Sequence, residues 1–422
     1  MNPFKPISIS LSPNTEPDDI RLALKLLFQP WRWTAEAKSQ QLESLSDLER
    51  EFRRYLGVKC AFSFNSGRSA LMAILNSLNL EKGSEVLLQA FTCNAAANPI
   101  IWSGFKPVYV DCDEKTFNMD SEDLKRKISA KSKVVMVQHT FGLPADMDEI
   151  VNICQQNNLI LIEDCAHALG ATYKGKNVGT FGRASFFSFS RDKVISSVYG
   201  GMSVTDDLTL AQNIKNYQGK AGFPSFFWTF QQLLHPILMN WVILPTYKIF
   251  GKYLLILLQW FHILSKAVHW KEKRGLRPGY FPKKLPSALS LLALNQLGKL
   301  EKLNDHRKEV ADFYFFSLKD GSLSLPLVLN DRENIFLRFT VKHPQAHRII
   351  ERAWRENLLI GDWYTSPVAP HDTKLDKLQY VSGSCPKAEK LSKETFNLPT
   401  HINISQKEVK RILDFLKKHV EG

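Results

Sequence analysis

Seven short apolar runs punctuate the chain between Cys60 and Asp207: CAFSF (60–64), EVLLQ (85–89), KPVYV (106–110), KVVMVQ (133–138), LILIED (159–164), ASFFSFS (184–190) and GMSV (201–204). Each is too short for a buried helix and rich in β-branched or aromatic residues, which predicts buried strands. Between the earlier runs lie amphipathic stretches such as SALMAILNSL (69–78) and MDEIVNICQQN (147–157), predicted as helices. Strand and helix in alternation predict an α/β domain whose mostly parallel sheet is covered on both faces.

From about 286 the period changes. The stretch LPSALSLLALNQLGKLEKLNDHRKEVADFYFFSL reads as one long amphipathic helix, with Leu289, Leu292, Leu297 and Leu300 at helical spacing. The remainder mixes short strands and helices and ends in SQKEVKRILDFLKKHV, where Ser405 is read as an N-cap. The expected organisation is an N-terminal arm (1–45), a large α/β domain (46–213), an insertion (214–284), a connecting helix and linker (285–334) and a small α+β domain (335–422).

Composition narrows the class. At 44% hydrophobic and 23% charged the chain is globular, not disordered. Its six cysteines are scattered with no C-x-x-C pair, which argues against a disulfide scaffold or a Cys-rich zinc site and suits a reducing compartment. No spacing suggests a metal. The sequence MNPFKPISIS lacks the apolar run of a signal peptide, and no run of 18 apolar residues reads as a transmembrane helix. The expected location is cytoplasmic, or peripheral on the inner face of the membrane.

The net charge is +13, and residues 214–284 hold eleven Lys and Arg against one acid, Glu272. In the same segment stand FFWTF (226–230), ILMNWVIL (237–244) and YLLILLQWF (253–261), broken by Pro236, Pro245 and Gly251. Nucleic-acid surfaces interleave basic and aromatic residues but do not need such aliphatic runs. A membrane-interface element needs both, with aromatics such as Trp228, Trp241 and Trp260 at headgroup depth and Lys towards anionic lipid. Residues 223–270 are therefore expected to meet an anionic membrane, packing within the protein or against a second copy being the alternative; no nucleic-acid partner is expected.

In parallel α/β sheets ligands bind at the carboxyl ends of strands. There the sequence places Asn65-Ser66-Gly67-Arg68-Ser69, then Glu163-Asp164-Cys165-Ala166-His167, then Ser188, Arg191, Asp192 and Lys193, followed by Gly200-Gly201. Taken singly these are a helix cap, another helix cap and a solvated lysine. Together they are an anion cradle, an acid and an amine, each just past a strand of one sheet. Pyridoxal phosphate needs that set: N–H and hydroxyl groups for its phosphate, a carboxylate for its ring nitrogen, a lysine for its aldehyde.

Residues 60–207 resemble the DegT/DnrJ/EryC1/StrS family of sugar aminotransferases, fold type I enzymes dependent on pyridoxal phosphate. The motifs are SGRSAL (66–71), GSEVLLQAFTCNAAANPI (83–100), FKPVYVDCDEKTFNMD (105–120), HTFGLPADMDEI (139–150), LIEDCAHALGATYKGKNVGTFG (161–182) and FFSFSRDKVISSVYGGMSVTDD (186–207); the likeness resumes at 285–307 and 385–401. The resemblance implies that Lys193 bonds the cofactor and moves the substrate proton, and that Asp164 pairs with the ring nitrogen. His167, where the family has Gln, falls beside the 3-oxygen. Ser188 and the backbone of Gly67 and Arg68 hold the phosphate; Arg68 replaces Thr and adds a charged contact. Cys93 falls where the family stacks an aromatic ring. Of the family's cross-dimer Gly-Tyr-Asn-Tyr-Arg stretch only Gly279-Tyr280 match, before Phe281-Pro282-Lys283. His139 and His401 match family histidines and are read as structural.

The implied function is transfer of an amino group, with glutamate as donor, to a nucleotide-linked keto-sugar in glycan or polysaccharide synthesis by a homodimer. Dehydratase relatives carry His in place of the lysine, and Lys193 argues against that chemistry. The rival of another class is a catalytically silent, membrane-docked protein that kept the fold. Because Lys193, Asp164 and Ser188 all precede the insertion, cofactor binding is expected not to need it.

Overall fold

The structure, a computed structural model, describes residues 4–33 and 40–420. Every apolar run between Cys60 and Asp207 forms a strand: β1 (Cys60–Phe64), β2 (Glu85–Gln89), β3 (Lys106–Val110), β4 (Ser132–Gln138), β5 (Ile160–Asp164), β6 (Ala184–Ser188) and β7 (Gly201–Thr205). They join in one sheet of order β1-β7-β6-β5-β4-β2-β3. β7 runs antiparallel to both β1 and β6, and the other neighbours pair in parallel. Alternation along the strands divides the core: Val86 and Leu88 join the cluster on one face, Leu87 the cluster on the other. The carboxyl ends of β1, β5 and β6 therefore open on one edge, where the candidate residues lie.

The long helix predicted after 286 is two helices, Ser287–Leu297 and Leu300–Leu318. Gly298 weakens helix propensity at the break, and Lys299 leaves helical geometry with its ammonium 2.9 Å from both Asp18 and Asp19. Leu289, Leu292, Leu297 and Leu300 are all buried, as their period predicts.

The boundaries drawn at 45 and 213 fall inside helices Gln40–Leu56 and Leu208–Lys220. Within the arm, Ile7–Ser8 pairs in parallel with Leu358–Leu359, and helix Pro17–Leu27 starts at a capping box between Glu16 and Asp19. At the other end of the chain, Phe339–Lys342 pairs antiparallel with Thr395–Leu398 among helices Ala346–Arg355, Pro386–Glu394 and Gln406–Val420. Ser405 Oγ accepts the Glu408 N–H at 3.4 Å, the capping role read from the sequence.

The apolar insertion is helical. Ser225 caps helix Phe226–Leu238, which runs on into Met239–Ile243; the chain then turns by 110° into Tyr247–Trp260. At the turn a Cβ on Gly251 would lie 2.1 Å from the Ile243 carbonyl oxygen, so only glycine fits. No single helix among the described residues is long and apolar enough to cross a membrane.

Candidate active site

The phosphate end is built by close backbone approach. Ser66 caps helix Gly67–Ser77, its hydroxyl accepting the Ser69 N–H at 3.1 Å. The N–H groups of Gly67 and Arg68 belong to the first turn and have no carbonyl four residues back to serve. A Cβ at Gly201 would sit 2.4 Å from the Gly67 nitrogen, and one at Gly67 3.0 Å from the Ser188 Cβ. The two glycines and Ser188 thus form a shallow cradle at the start of a helix, suited to an anion.

This cradle is one end of a cavity whose lining includes Cys93, Gln138, Asp164, His167, Lys193 and Trp363. Asp164, the last residue of β5, is buried and accepts the Ala166 N–H at 3.0 Å. Burial pushes its carboxyl up to about 6, against the opposing pull of that N–H, Lys193 and His139. A cation at the cavity wall would relieve this cost.

Lys193 Nζ lies 2.9 Å from His167 Nε2 and 4.4 Å from the centre of the Trp363 ring. The backbone N–H of Phe141 points at Nδ1 of His167 from 3.3 Å, so Nδ1 is the acceptor and the ring proton sits on Nε2. Burial, with the charges of Lys193 and Arg338, lowers the His167 pKa far below its ordinary value. The imidazole is therefore neutral with an N–H donor aimed into the cavity. Burial also lowers the Lys193 pKa, which favours a free amine.

Two features of the site carry no sequence signal. Asn14, in the arm, donates to the carbonyls of Lys193 and Val194, and buried Arg307 donates to the Val194 carbonyl at 2.7 Å and to Asn14 Oδ1 at 3.0 Å. These bonds fix the lysine loop by its backbone. Trp363, from the small C-terminal unit, lies over His167 with ring centres 5.3 Å apart and also meets the Arg338 guanidinium, 3.4 Å from its ring centre. Arg338 in turn meets Asp192 at 3.2 Å.

Of the remaining predicted residues, Cys93 and Arg68 line the cavity, whereas His139 and His401 do not. Cys93 contributes a thiol to the wall, raised in pKa by burial, while its Sγ accepts the Ala95 N–H at 3.5 Å. Arg68 lines the phosphate end, but its guanidinium is held 2.6 Å from Glu272. His139 accepts the Ala145 N–H and meets Glu163, and His401 bonds the Ser8 carbonyl, so both are structural. Glu163 accepts the N–H groups of Gly179, Phe181 and Gly182, each at 2.7 Å, leaving it no ligand role.

The insertion is not separate from this site. Ala267 and Val268, on the return from its helices, line the cavity, and Tyr199 donates to the Lys266 carbonyl at 2.7 Å. The expectation that cofactor binding does not need residues 223–270 rests on the order of motifs along the chain, which does not reveal that the apolar helices are tethered to a wall of the pocket.

The model of the DegT/DnrJ/EryC1/StrS aminotransferase family matches residues 33–232 and 258–417. The chain belongs to that family. The gap between the two matched blocks falls inside the inserted helices. The chain is 39% identical over 176 residues to a GDP-perosamine synthase of Escherichia coli O157:H7, an alignment spanning 42% of this chain and 48% of the relative, so it matches about half of that protein. It is 27% identical over 376 residues to a dTDP-3-amino-3,6-dideoxy-alpha-D-galactopyranose transaminase of Aneurinibacillus thermoaerophilus, covering 89% and 90% of the two chains. A Streptococcus pneumoniae chain assigned as a sugar aminotransferase, solved in its PLP form, superimposes with a TM-score of 0.75 at 21% identity, over 98% of this chain and 97% of that one. The fold is that of these aminotransferases.

As a member of the DegT/DnrJ/EryC1/StrS family, the chain can be tested for fit to pyridoxal phosphate on its own residues. The cradle that a Cβ would fill suits a phosphate, the buried Asp164 suits a ring cation, and the one lysine of the inner cavity suits an aldehyde. The residues fit.

Proposed function

We propose that the chain is a pyridoxal-phosphate-dependent aminotransferase, moving an amino group from glutamate to a keto-sugar carried on a nucleotide, in glycan or polysaccharide synthesis. The observation that carries this is the convergence of Lys193, Asp164 and the Gly67–Gly201–Ser188 cradle on one cavity. Pyridoxal phosphate, when bound, supplies an aldehyde and an electron-withdrawing ring that holds the electron pair of a broken C–H bond.

The protein's part is placement and proton transfer. The cradle orients the phosphate through N–H groups and the Ser188 hydroxyl. Asp164 stays ionised against a ring cation and keeps that ring protonated. His167 offers its Nε2–H to the ring's 3-oxygen. Lys193 Nζ, with its lowered pKa, takes a proton from the donor's carbon and returns one to the acceptor's carbon. In the net exchange the donor carbon loses two electrons and becomes a ketone, while the acceptor carbon gains two and becomes an amine. The acceptor's carbonyl oxygen leaves as water, and water supplies the oxygen of the new ketone.

A second, larger cavity, of about 400 Å³, adjoins the first and shares Cys93, Asp192, Ala267 and Trp363 with it. It lies towards the inserted helices, with Met239 and Leu255 on its wall, and gives an acceptor room to approach. Beyond that wall the surface is apolar and basic: Tyr253, Ile256, Leu257 and Trp260 are exposed beside Lys248 and Lys252. This supports work at an anionic membrane surface. The visible absorbance of the lysine-bound cofactor, bleached by glutamate and restored by a keto-sugar nucleotide, tests the catalytic reading; a protein that binds the cofactor but is not bleached would count against amino transfer.

A further inference from the structure

Glu272 stands alone as the acid of residues 214–284, and it is completely buried. Its Oε2 lies 2.6 Å from Arg68 Nε, its Oε1 accepts the His269 N–H at 2.8 Å, and its backbone carbonyl accepts from Asn98 Nδ2 at 2.9 Å. Arg68 is held on two further sides. Its Nη2 donates to the Ala267 carbonyl at 3.3 Å, and its guanidinium lies 5.4 Å from the Phe281 ring centre. Glu272 itself does not line the cofactor cavity, whereas Arg68 does, at the helix start where the anion cradle is built.

Burying a carboxylate is costly unless it is paired, and a buried pair is weak evidence for stability. The placement of this pair suggests another use. An arginine free to swing must give up its rotamers when it meets an anion, but one already clamped by a carboxylate, a carbonyl and a ring has little left to lose. The clamp comes from the return of the inserted helices, so the insertion reaches the cofactor through it.

We propose that Glu272 is a positioning residue that fixes the Arg68 guanidinium at the phosphate end of the cavity, so that recognition of the cofactor's phosphate depends on the inserted segment. This rests on the pyridoxal phosphate reading above.

The test compares pyridoxal phosphate with pyridoxal, which has the same ring and aldehyde but no phosphate, by absorbance titration of the full-length apoprotein. Glu272→Ala should weaken pyridoxal phosphate about tenfold or more, the scale of one charge-assisted contact, and leave pyridoxal within about twofold. Glu272→Gln, which keeps size but drops the charge, carries the test if the alanine variant does not fold, and should show the same split. Arg68→Ala should show it too, and adding Glu272→Ala to Arg68→Ala should cost nothing further, because Glu272 acts only through Arg68. Inorganic phosphate should compete less well against pyridoxal phosphate in each single variant. Equal losses for both ligands, additive losses in the double variant, or tighter phosphate binding would overturn the proposal. Failure of the unsubstituted protein to take up pyridoxal phosphate would instead sink the cofactor reading itself.

Discussion

Lys193 and His167 face each other across 2.9 Å, and the bond has a direction: His167 Nε2–H donates, and Lys193 Nζ offers its lone pair. Two adjacent cations could not hold this geometry in a buried site. Burial lowers both pKa values, and the charges of Lys193 and Arg338 lower that of His167 further, which favours a free amine beside a neutral imidazole. A nucleophile for an aldehyde and a donor for a phenolic oxygen are thus prepared together.

Lys193→Ala should remove the lysine-bound cofactor absorbance and reduce amino transfer to background, since no other lysine lines the inner cavity. The fold should survive, because Asn14 and Arg307 hold this loop by its backbone carbonyls. A visible band at unchanged wavelength in the variant would show that another amine does this work.

Asp164→Asn should separate stability from activity. The Asp164 carboxyl is pushed from 3.8 to about 6 in the fold by burial. Between those values the folded protein binds a proton that the unfolded chain does not, so stability of the cofactor-free protein falls as pH rises. Above about pH 6 the full cost, at most about 3 kcal/mol, persists. The asparagine variant has no such charge to bury. Its apoprotein should be more stable than the unsubstituted one at pH 8 and no more stable at pH 4, while turnover drops on the order of 100-fold or more with loss of the ring's counter-charge. Denaturant midpoints at the two pH values, measured beside turnover, check both halves.

The sequence was most legible where one local pattern decides the outcome. The seven strands follow from apolar runs, and Lys193, Asp164 and Ser188 follow from their places at strand ends. What it hid depends on contacts distant along the chain. Asn14 reaches Lys193 from the arm, Trp363 reaches His167 from the small C-terminal unit, and Glu272 reaches Arg68 from within the insertion, past its apolar helices. None of these residues stands in a local pattern that marks its partner. The single long helix failed for a local reason: the leucine period continues across Gly298, while the backbone does not.

Gly201→Ala should abolish cofactor retention more completely than it harms folding. The new Cβ would lie 2.4 Å from the Gly67 nitrogen and 2.6 Å from the Ser66 oxygen, both backbone atoms, so β7 or the start of helix Gly67–Ser77 must move. Either shift spoils the cradle. After dialysis the variant should be colourless, with a far-ultraviolet spectrum like that of the unsubstituted protein; retention of stoichiometric cofactor would remove this cradle from the phosphate site.

The inserted helices make the last prediction. Trp241 is 56% exposed and Trp260 70%, whereas Trp228 is 6% exposed and packs on Tyr199 with ring centres 5.3 Å apart. Only the first two can therefore leave water at a membrane, which narrows the expectation from sequence that all three would. Each lysine near an anionic surface adds about 1 kcal/mol, screened over about 8–10 Å at physiological salt. Lys248 and Lys252, both exposed beside Ile249, Phe250 and Tyr253, supply that attraction next to an apolar face. The intact protein should sediment with anionic liposomes at low salt, bind neutral ones weakly and release at high salt, with a blue shift in fluorescence. Trp241→Phe and Trp260→Phe should each reduce that shift, and Trp228→Phe should not. Deleting residues 223–270 is the wrong comparison, because Ala267 and Val268 line the cofactor cavity and would be lost with the helices. The informative variant is Ile256→Ser with Trp260→Ser, which alters only exposed side chains and should retain cofactor while releasing the protein from liposomes. Sedimentation of that variant equal to the unsubstituted protein, or an intact protein that stays in the supernatant at low salt, would rule out this face as a membrane surface.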